Sequence, residues 1–262
     1  MSAAPQDAEG RPRRRQVVRR GQTVYGIDIG VIMLDNDLPR PVGDVGNART
    51  FAFPVAYQEV AGCTPSAITS GAIPRRYADR PEAELSDYIA AGRALIRKGV
   101  RALATCCGLL AAYQSELTEA LPVPVAASSL LQVPLVLAVL APQQRLCILT
   151  VNSQSISQRH LHGCGIDDGE VERLRIVGLE HSEHFYPALL GRLDELDPDL
   201  AEDELVDVAR RVVSGDPDIG GFLLECTNMP PYAAALRRAT GLPVWDAVSL
   251  INWVREGVAI DA

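Results

Sequence analysis

The residues best equipped for chemistry in this 262-residue chain are its cysteines, at positions 63, 106, 107, 147, 164 and 226. Two of them lie where a strand-like run meets a helix-like one. Val100-Arg-Ala-Leu-Ala-Thr105 leads into Cys106-Cys107-Gly108, and Ile219-Gly-Gly-Phe-Leu-Leu-Glu225 leads into Cys226-Thr227-Asn228. A thiol just before a helix is expected to feel the helix dipole, which favours the thiolate. The same backbone N–H groups can hold a substrate carboxylate. Gly108 permits close approach of a ligand to the backbone, and the Thr227 hydroxyl offers a further hydrogen bond. Two such thiols on opposite faces of a carbon acid suit inversion. Cys107 or Cys226, as thiolate, removes the α-proton, and the other returns one to the opposite face. Fixed N–H donors would carry the carbanion's charge, each worth about 3 kcal/mol. No cofactor and no metal is required.

The elements that must position these thiols repeat. Val24 to Gly30 reads as a first strand, and Arg145 to Val151 as its equivalent. Helical apolar patterns cover Pro81 to Lys98, about Leu109 to Ala120, about Ala201 to Val213, and Pro230 to Gly241. Strands start again at Val123 and Val244. Cys107 and Cys226 are 119 residues apart, as are Gly26 and Arg145, and Leu121-Pro-Val recurs as Leu242-Pro-Val. We read a duplicated βα unit with one cysteine at the carboxyl end of an equivalent strand in each half. Ligands of open parallel sheets bind beyond those ends, so two facing halves would bring one thiol from each side of a single cleft. The expected fold is α/β: two pseudo-symmetric lobes, each a short parallel sheet flanked by helices. Adjacent strand residues face opposite ways, so one of Cys106 and Cys107 is expected to face the cleft. The glycine that follows selects Cys107.

Ala104-Thr-Cys-Cys-Gly-Leu-Leu110 and Leu223-Leu-Glu-Cys-Thr-Asn-Met-Pro-Pro-Tyr232 resemble the two signatures of the aspartate/glutamate racemase superfamily. Gly30-Val-Ile-Met-Leu-Asp35, Pro39-Arg-Pro-Val-Gly-Asp-Val-Gly-Asn47 and Leu130-Leu-Gln-Val-Pro134 resemble its less characterised branch. The resemblance spans about residues 24–255. It implies lobe one at 23–128 plus 249–262, lobe two at 129–248, and a site between them. It also implies cofactor-independent racemisation or epimerisation at the α-carbon of an amino acid or related carboxylate. Cys107 and Cys226 match the acid/base pair and Thr227 a carboxylate-binding position. Gly108, Asn228, Asn152, Ser153 and Asp28 fall at other substrate-contacting positions, and a homodimer is implied. The chain departs from glutamate racemases in carrying Asn228 after Cys226-Thr227 and Gly108-Leu109 after Cys107, which argues against glutamate. Hydantoin-type racemisation, cis–trans isomerisation and arylmalonate-type decarboxylation stay open within the family.

Composition narrows the other classes. Apolar residues are 47% and charged residues 22%, as in an ordinary globular protein. No 18-residue apolar run occurs, so no membrane span is expected. The net charge is −8. Residues 1–22 carry six arginines against Asp7 and Glu9, a balance of +4, which leaves −12 on the rest. That acidic body argues against nucleic acid as a partner. The basic tail reads as a disordered extension. The cysteine usage, with no C-x-x-C and no apolar signal segment, points to a reducing compartment and a cytoplasmic location. His160 with His162, and His181 with His184, would serve a metal-dependent hydrolase only if a metal joined them. Val42 to Asn47 lacks the pattern of a nucleotide loop and reads as a turn at the cleft edge. A non-catalytic two-lobed ligand-binding module is the remaining alternative. Cys63, Cys147 and Cys164 are expected in the core, as are Trp245 and Trp253.

Overall fold

The computed structural model describes residues 21–35, 38–61, 81–190 and 193–259. The disordered tail expected over residues 1–22 lies outside them up to residue 20, and Cys63 lies outside them too.

Among the described residues, eight short strands form two parallel four-stranded sheets of identical connectivity. The first contains β1 (Ile29–Leu34), β2 (Val55–Val60), β3 (Ala102–Thr105) and β4 (Val125–Ala126), in the order β2-β1-β3-β4. The second contains β5 (Arg145–Thr150), β6 (Leu174–Gly178), β7 (Ile219–Leu224) and β8 (Val244–Trp245), in the order β6-β5-β7-β8. The inner strands read as continuous apolar runs because helices cover both faces. All six residues of β1 are buried, as are all four of β3 and all six of β7.

The first strand starts at Ile29, five residues later than expected. Val24 and Tyr25 are exposed, and backbone pairing begins only where Ile29 meets Val55 on one side and Ala102 on the other. Two strands carry no clear sequence signal. These are the edge strands β2 and β6, whose residues are mostly half-buried; one partner and one covered face leave a weak apolar pattern.

The helices follow their sequence patterns closely. The first spans Pro81–Arg97 and turns at Gly99, whose φ of +96° suits glycine. The helix at Pro198–Gly215 is capped by Asp197, whose side chain accepts from the N–H groups of Asp199 and Leu200. The last helix, Ala247–Val258, returns to the first half and buries Ala247 and Ile251 in its core. Trp253 on that helix corrects the core expectation: it is 65% exposed, because it sits on the face turned away from Ala247 and Ile251. Cys147 and Cys164 are buried. Among the described residues, no helix is long and apolar enough to cross a membrane.

Candidate active site

The carboxyl ends of the four inner strands converge on one cleft. Leu34 comes from the end of β1, and Cys106, Cys107 and Gly108 follow β3. Thr150 and Asn152 stand at the end of β5, and Glu225 to Asn228 follow β7. Leu38 and Arg40 reach in from the segment after β1, and Leu189 and Leu190 close the far side. The space open to the centre of a water-sized sphere is about 60 Å³. One water needs roughly 10–15 Å³ on that measure, so the cleft suits a small ligand.

Cys107 and Cys226 occupy matching places, each two residues beyond the last residue of its strand. Cys106 also lines the cleft. The expected alternation fails there because β3 has already ended at Thr105. The two neighbours are nevertheless distinct. Cys106 is buried, and its Sγ accepts a hydrogen bond from the Leu34 N–H at 3.0 Å. Cys107 is partly exposed, and its N–H donates to Thr105 Oγ1 at 3.4 Å.

The segments carrying the two thiols are joined directly. Thr227 Oγ1 donates to the Cys106 carbonyl at 2.5 Å, and Ser129 Oγ donates to the Leu224 carbonyl at 2.8 Å. Thr227 thus has its hydroxyl proton engaged with the other half of the molecule, and only its lone pairs face a ligand.

Sequence reasoning missed Arg40 as a site residue. Its guanidinium donates to Asp44 Oδ1 at 2.8 Å. Asp44 is fully buried and accepts from the Gly46 N–H at 2.7 Å and from Asn228 Nδ2 at 2.6 Å. Asn228 Oδ1 in turn lies 3.5 Å from Cys226 Sγ, which donates to it. A continuous polar chain therefore runs Arg40–Asp44–Asn228–Cys226. The Arg-Pro that precedes Val42-Gly-Asp-Val-Gly was the available signal. Asp44 and Asn47 shape this turn: Asn47 Nδ2 donates to the Arg40 carbonyl at 2.8 Å. At its tip, Gly43 adopts φ +107° against Pro231. Asp44→Ala is expected to destabilise the fold by about 3 kcal/mol, because it removes the buried carboxylate that the Arg40 guanidinium, the Gly46 N–H and the Asn228 amide share. Urea unfolding would measure this, and a loss under 1 kcal/mol would show the chain to be dispensable.

The expected electrostatics are reversed. Each cysteine is followed by short 3₁₀ turns, Gly108–Tyr113 and Pro230–Tyr232, and no long helix starts there. Burial dominates instead. It pushes Cys106 up to about 11, opposed by Arg40 and by the Leu34 N–H. It holds Cys107 well above the usual thiol range, reinforced by Cys106 and Glu225. It raises Cys226 as well, with Glu225 adding to burial and the Asn228 N–H opposing. Glu225 is itself pushed up to about 7 by burial, against the hydrogen bond donated by Thr150.

The remaining expected site residues divide. Gly108 and Asn152 line the cleft, although the Asn152 side chain accepts from the Gln154 N–H as a turn cap. Ser153 does not line it. Its hydroxyl donates to Glu180 Oε1 at 2.7 Å, and its N–H faces Glu180 Oε2 at 3.3 Å. Asp28 is corrected outright. It precedes β1 at the amino end of the sheet, and its carbonyl accepts from the N–H groups of Arg101 and Ala102; ligands meet the opposite end. Two of the histidines serve turns and caps: His160 closes a capping box with Ser157, and His184 Nε2 accepts from the Asp197 N–H at 2.7 Å. Among the described residues, no group of three or more His, Cys, Asp or Glu side chains could hold a metal ion.

Comparison with known proteins gives this architecture a place. A family model described as Asp/Glu/Hydantoin racemase matches residues 56–253. The chain is 32% identical over 231 residues to dimethylsulfoniopropionate lyase 7 of Emiliania huxleyi, an alignment covering 86% of this chain and 65% of that protein. It is 30% identical over 239 residues to dimethylsulfoniopropionate lyase of Durusdinium sp. clade D, covering 90% and 76%. The chain thus spans a little under two thirds of the first relative's length. Among solved structures, it superposes on an arylmalonate decarboxylase variant with a TM-score of 0.54 at 18% identity, over 88% of this chain and 94% of that one. It superposes on allantoin racemase from Klebsiella pneumoniae with a TM-score of 0.54 at 18% identity, over 90% of both. Those two likenesses show the shared fold. With the family model matched across most of its length and both sheets in place, the chain belongs to the Asp/Glu/hydantoin racemase family.

Proposed function

We propose that this chain is a lyase that removes a proton α to a carboxylate and expels a neutral leaving group from the β-carbon, with dimethylsulfoniopropionate as substrate. The observation that carries the reading is the pair of strand-end thiols, Cys107 and Cys226, opening into one small cleft. Such a pair suits carbon-acid chemistry. The choice of substrate is supported by the likeness to proteins named dimethylsulfoniopropionate lyase. The lining fits a zwitterion of that kind. Arg40 offers a cation for the carboxylate, the carboxyl group of Glu225 suits a sulfonium, and Leu34, Leu38 and Leu189 suit its methyl groups.

In this reading Cys226 is the base. Arg40 and the Asn228 N–H both favour its thiolate. The thiolate takes the α-proton, the C–H electron pair forms the new C=C bond, and the C–S bond breaks with its pair leaving on dimethyl sulfide. Acrylate remains, and the proton rests on Cys226.

The inversion reading also has an observation in its favour. Elimination needs one base, and this cleft presents a second thiol, Cys107, in the matching position. The test has two arms. The protein is incubated with dimethylsulfoniopropionate and headspace dimethyl sulfide is followed by gas chromatography. In parallel, amino acids, hydantoins and small carboxylates are incubated in deuterium oxide and loss of α-hydrogen signals is followed by proton NMR. Release of dimethyl sulfide with matching acrylate is the expected result. Deuterium uptake with inversion of a chiral substrate, and no dimethyl sulfide, would replace elimination with racemisation.

A further inference from the structure

The charges that line the cleft do not balance. Among the described residues in its wall, Arg40 is the one cation and Glu225 the one carboxyl. Arg40 is already matched, since its guanidinium donates to Asp44 Oδ1 at 2.8 Å. Glu225 has no such counterpart. It is 3% exposed. Its Oε2 accepts from Thr150 Oγ1 at 2.8 Å, while its Oε1 has no hydrogen-bond partner among the described residues. Burial and the Thr150 bond are the influences on its proton affinity, and no cation is among them. A buried anion is retained where something pairs with it. A carboxyl kept in this state points to a positive charge that arrives with a ligand.

The placement of the carboxyl says what kind of charge that is. Its Oε1 is buried against Gly108, so close that a methyl group there would overlap it. Its field nevertheless reaches the cleft, because its charge is felt at both Cys107 and Cys226. In a buried site such a field acts strongly over several ångströms. A sulfonium or quaternary ammonium centre has no N–H group that needs an acceptor, so it is held through the field alone. Its methyl groups suit the rest of the wall, where Leu34, Leu38, Val151, Leu189 and Leu190 stand.

We propose that Glu225 is the counter-charge that makes the cleft selective for onium zwitterions, compounds that pair a carboxylate with a sulfonium or quaternary ammonium centre, over carboxylates of the same shape that lack the positive charge. This deepens the substrate reading above and rests on it. It also couples binding to a proton. Burial pushes the carboxyl up to about 7, so near neutrality the empty cleft holds it partly as the acid. A cationic ligand favours the carboxylate and expels that proton, whereas a ligand with only a negative charge favours the acid and takes a proton up. The groups around Glu225 leave it as the one that titrates in this range. Thr150 from β5 is a neutral hydroxyl. Cys106 and Cys107 after β3, Cys226 beside it and Cys164 from the second half are thiols that burial holds above their usual range. Arg40 is raised and stays charged, and Asp44 beyond Cys226 is bonded to Arg40 and Asn228.

The test is calorimetric and needs no turnover, so it stands apart from the lyase assay. The full-length protein is titrated with 3-(trimethylammonio)propionate, which has no C–S bond to break, and with 4,4-dimethylpentanoate, which has the same shape with carbon in place of the charged nitrogen. Titrations run from about pH 5.5 to 8.5 in buffers of different ionisation heat, so that proton exchange is read directly. At pH 8 the zwitterion is expected to bind about tenfold or more tightly than its carbon analogue. Its affinity should rise with pH through about 7 and its binding should release a proton there, while the affinity of the carbon analogue should fall over the same range. In Glu225→Gln both slopes should vanish and the preference should drop about tenfold. The proton release is read on the parent protein, so it decides the matter even where the variant fails to fold. Equal affinities for the two compounds, slopes of the same sign, slopes that survive in Glu225→Gln, or no binding of the zwitterion would each overturn the proposal. Selective binding of the zwitterion with no dimethyl sulfide release would keep the onium role and reject the lyase reading. Dimethyl sulfide release with equal affinities would do the reverse.

Discussion

Cys226→Ala is expected to lower the rate of dimethyl sulfide release by about 10²- to 10⁴-fold, the usual contribution of a positioned general base. The loss should fall on kcat, because Arg40 and the apolar lining proposed to bind the substrate stay in place. Cys107→Ala should cost far less under elimination, since no second proton transfer lies between the substrate and its products. Under inversion the two variants should be equally inactive, because each thiol is needed once per turnover. The same pair of substitutions therefore measures the effect and separates the reactions. Steady-state rates on dimethylsulfoniopropionate, with circular dichroism to verify folding, are sufficient. Equal and complete loss in both variants would rule out a one-base elimination.

Gly108→Ala carries the second large effect. A methyl at this position would overlap both Glu225 Oε1 and the Glu225 backbone carbonyl. A flexible side-chain end can turn away, but a carbonyl at the end of a buried strand cannot. The backbone of one half must shift. Overpacking of this kind costs about 1–3 kcal/mol, which lowers the melting temperature by roughly 2–12 °C in a protein of this size. The activity loss should be larger than the stability loss suggests, on the order of 10²-fold, because the shift moves Cys107 against Cys226. Combining it with Glu225→Ala should recover only part of the melting temperature, since the carbonyl overlap remains. An alanine variant that melts and turns over like the parent would contradict the close approach itself.

That approach also accounts for one departure from glutamate racemases noted in the sequence, the glycine after Cys107. Gly108 after the first thiol belongs with Glu225 before the second, as the carboxyl of one half fills the space that a side chain on the other would take. Neither residue is informative alone. Linear sequence placed them 117 positions apart, with nothing to connect them. The thiols were readable because each ends an apolar run that the repeat duplicates, and the inner strands because burial on both faces leaves short runs that are almost wholly apolar. The edge strands β2 and β6 lack that mark. Arg40 was hidden for a different reason: its role depends on a turn that folds back onto Thr227 and Asn228 from the other half. The misplaced Asp28 follows from the late start of β1. The thiol electrostatics were misjudged because the sequence shows a helix pattern but not that its first turns are 3₁₀, and it does not show depth of burial.

The hydrogen bond from Thr227 to the Cys106 carbonyl has one more consequence. It ties the backbone beside one thiol to the backbone beside the other at 2.5 Å, and its donor is itself buried. Together with the Ser129 bond to the Leu224 carbonyl, it fixes the spacing of the two sulfur-bearing segments as a gauge. A substrate that is to meet both thiols is therefore expected to be limited in thickness at that gauge before any charge is read. Chains that share it can change their chemistry by altering what lines the gap while leaving its width untouched.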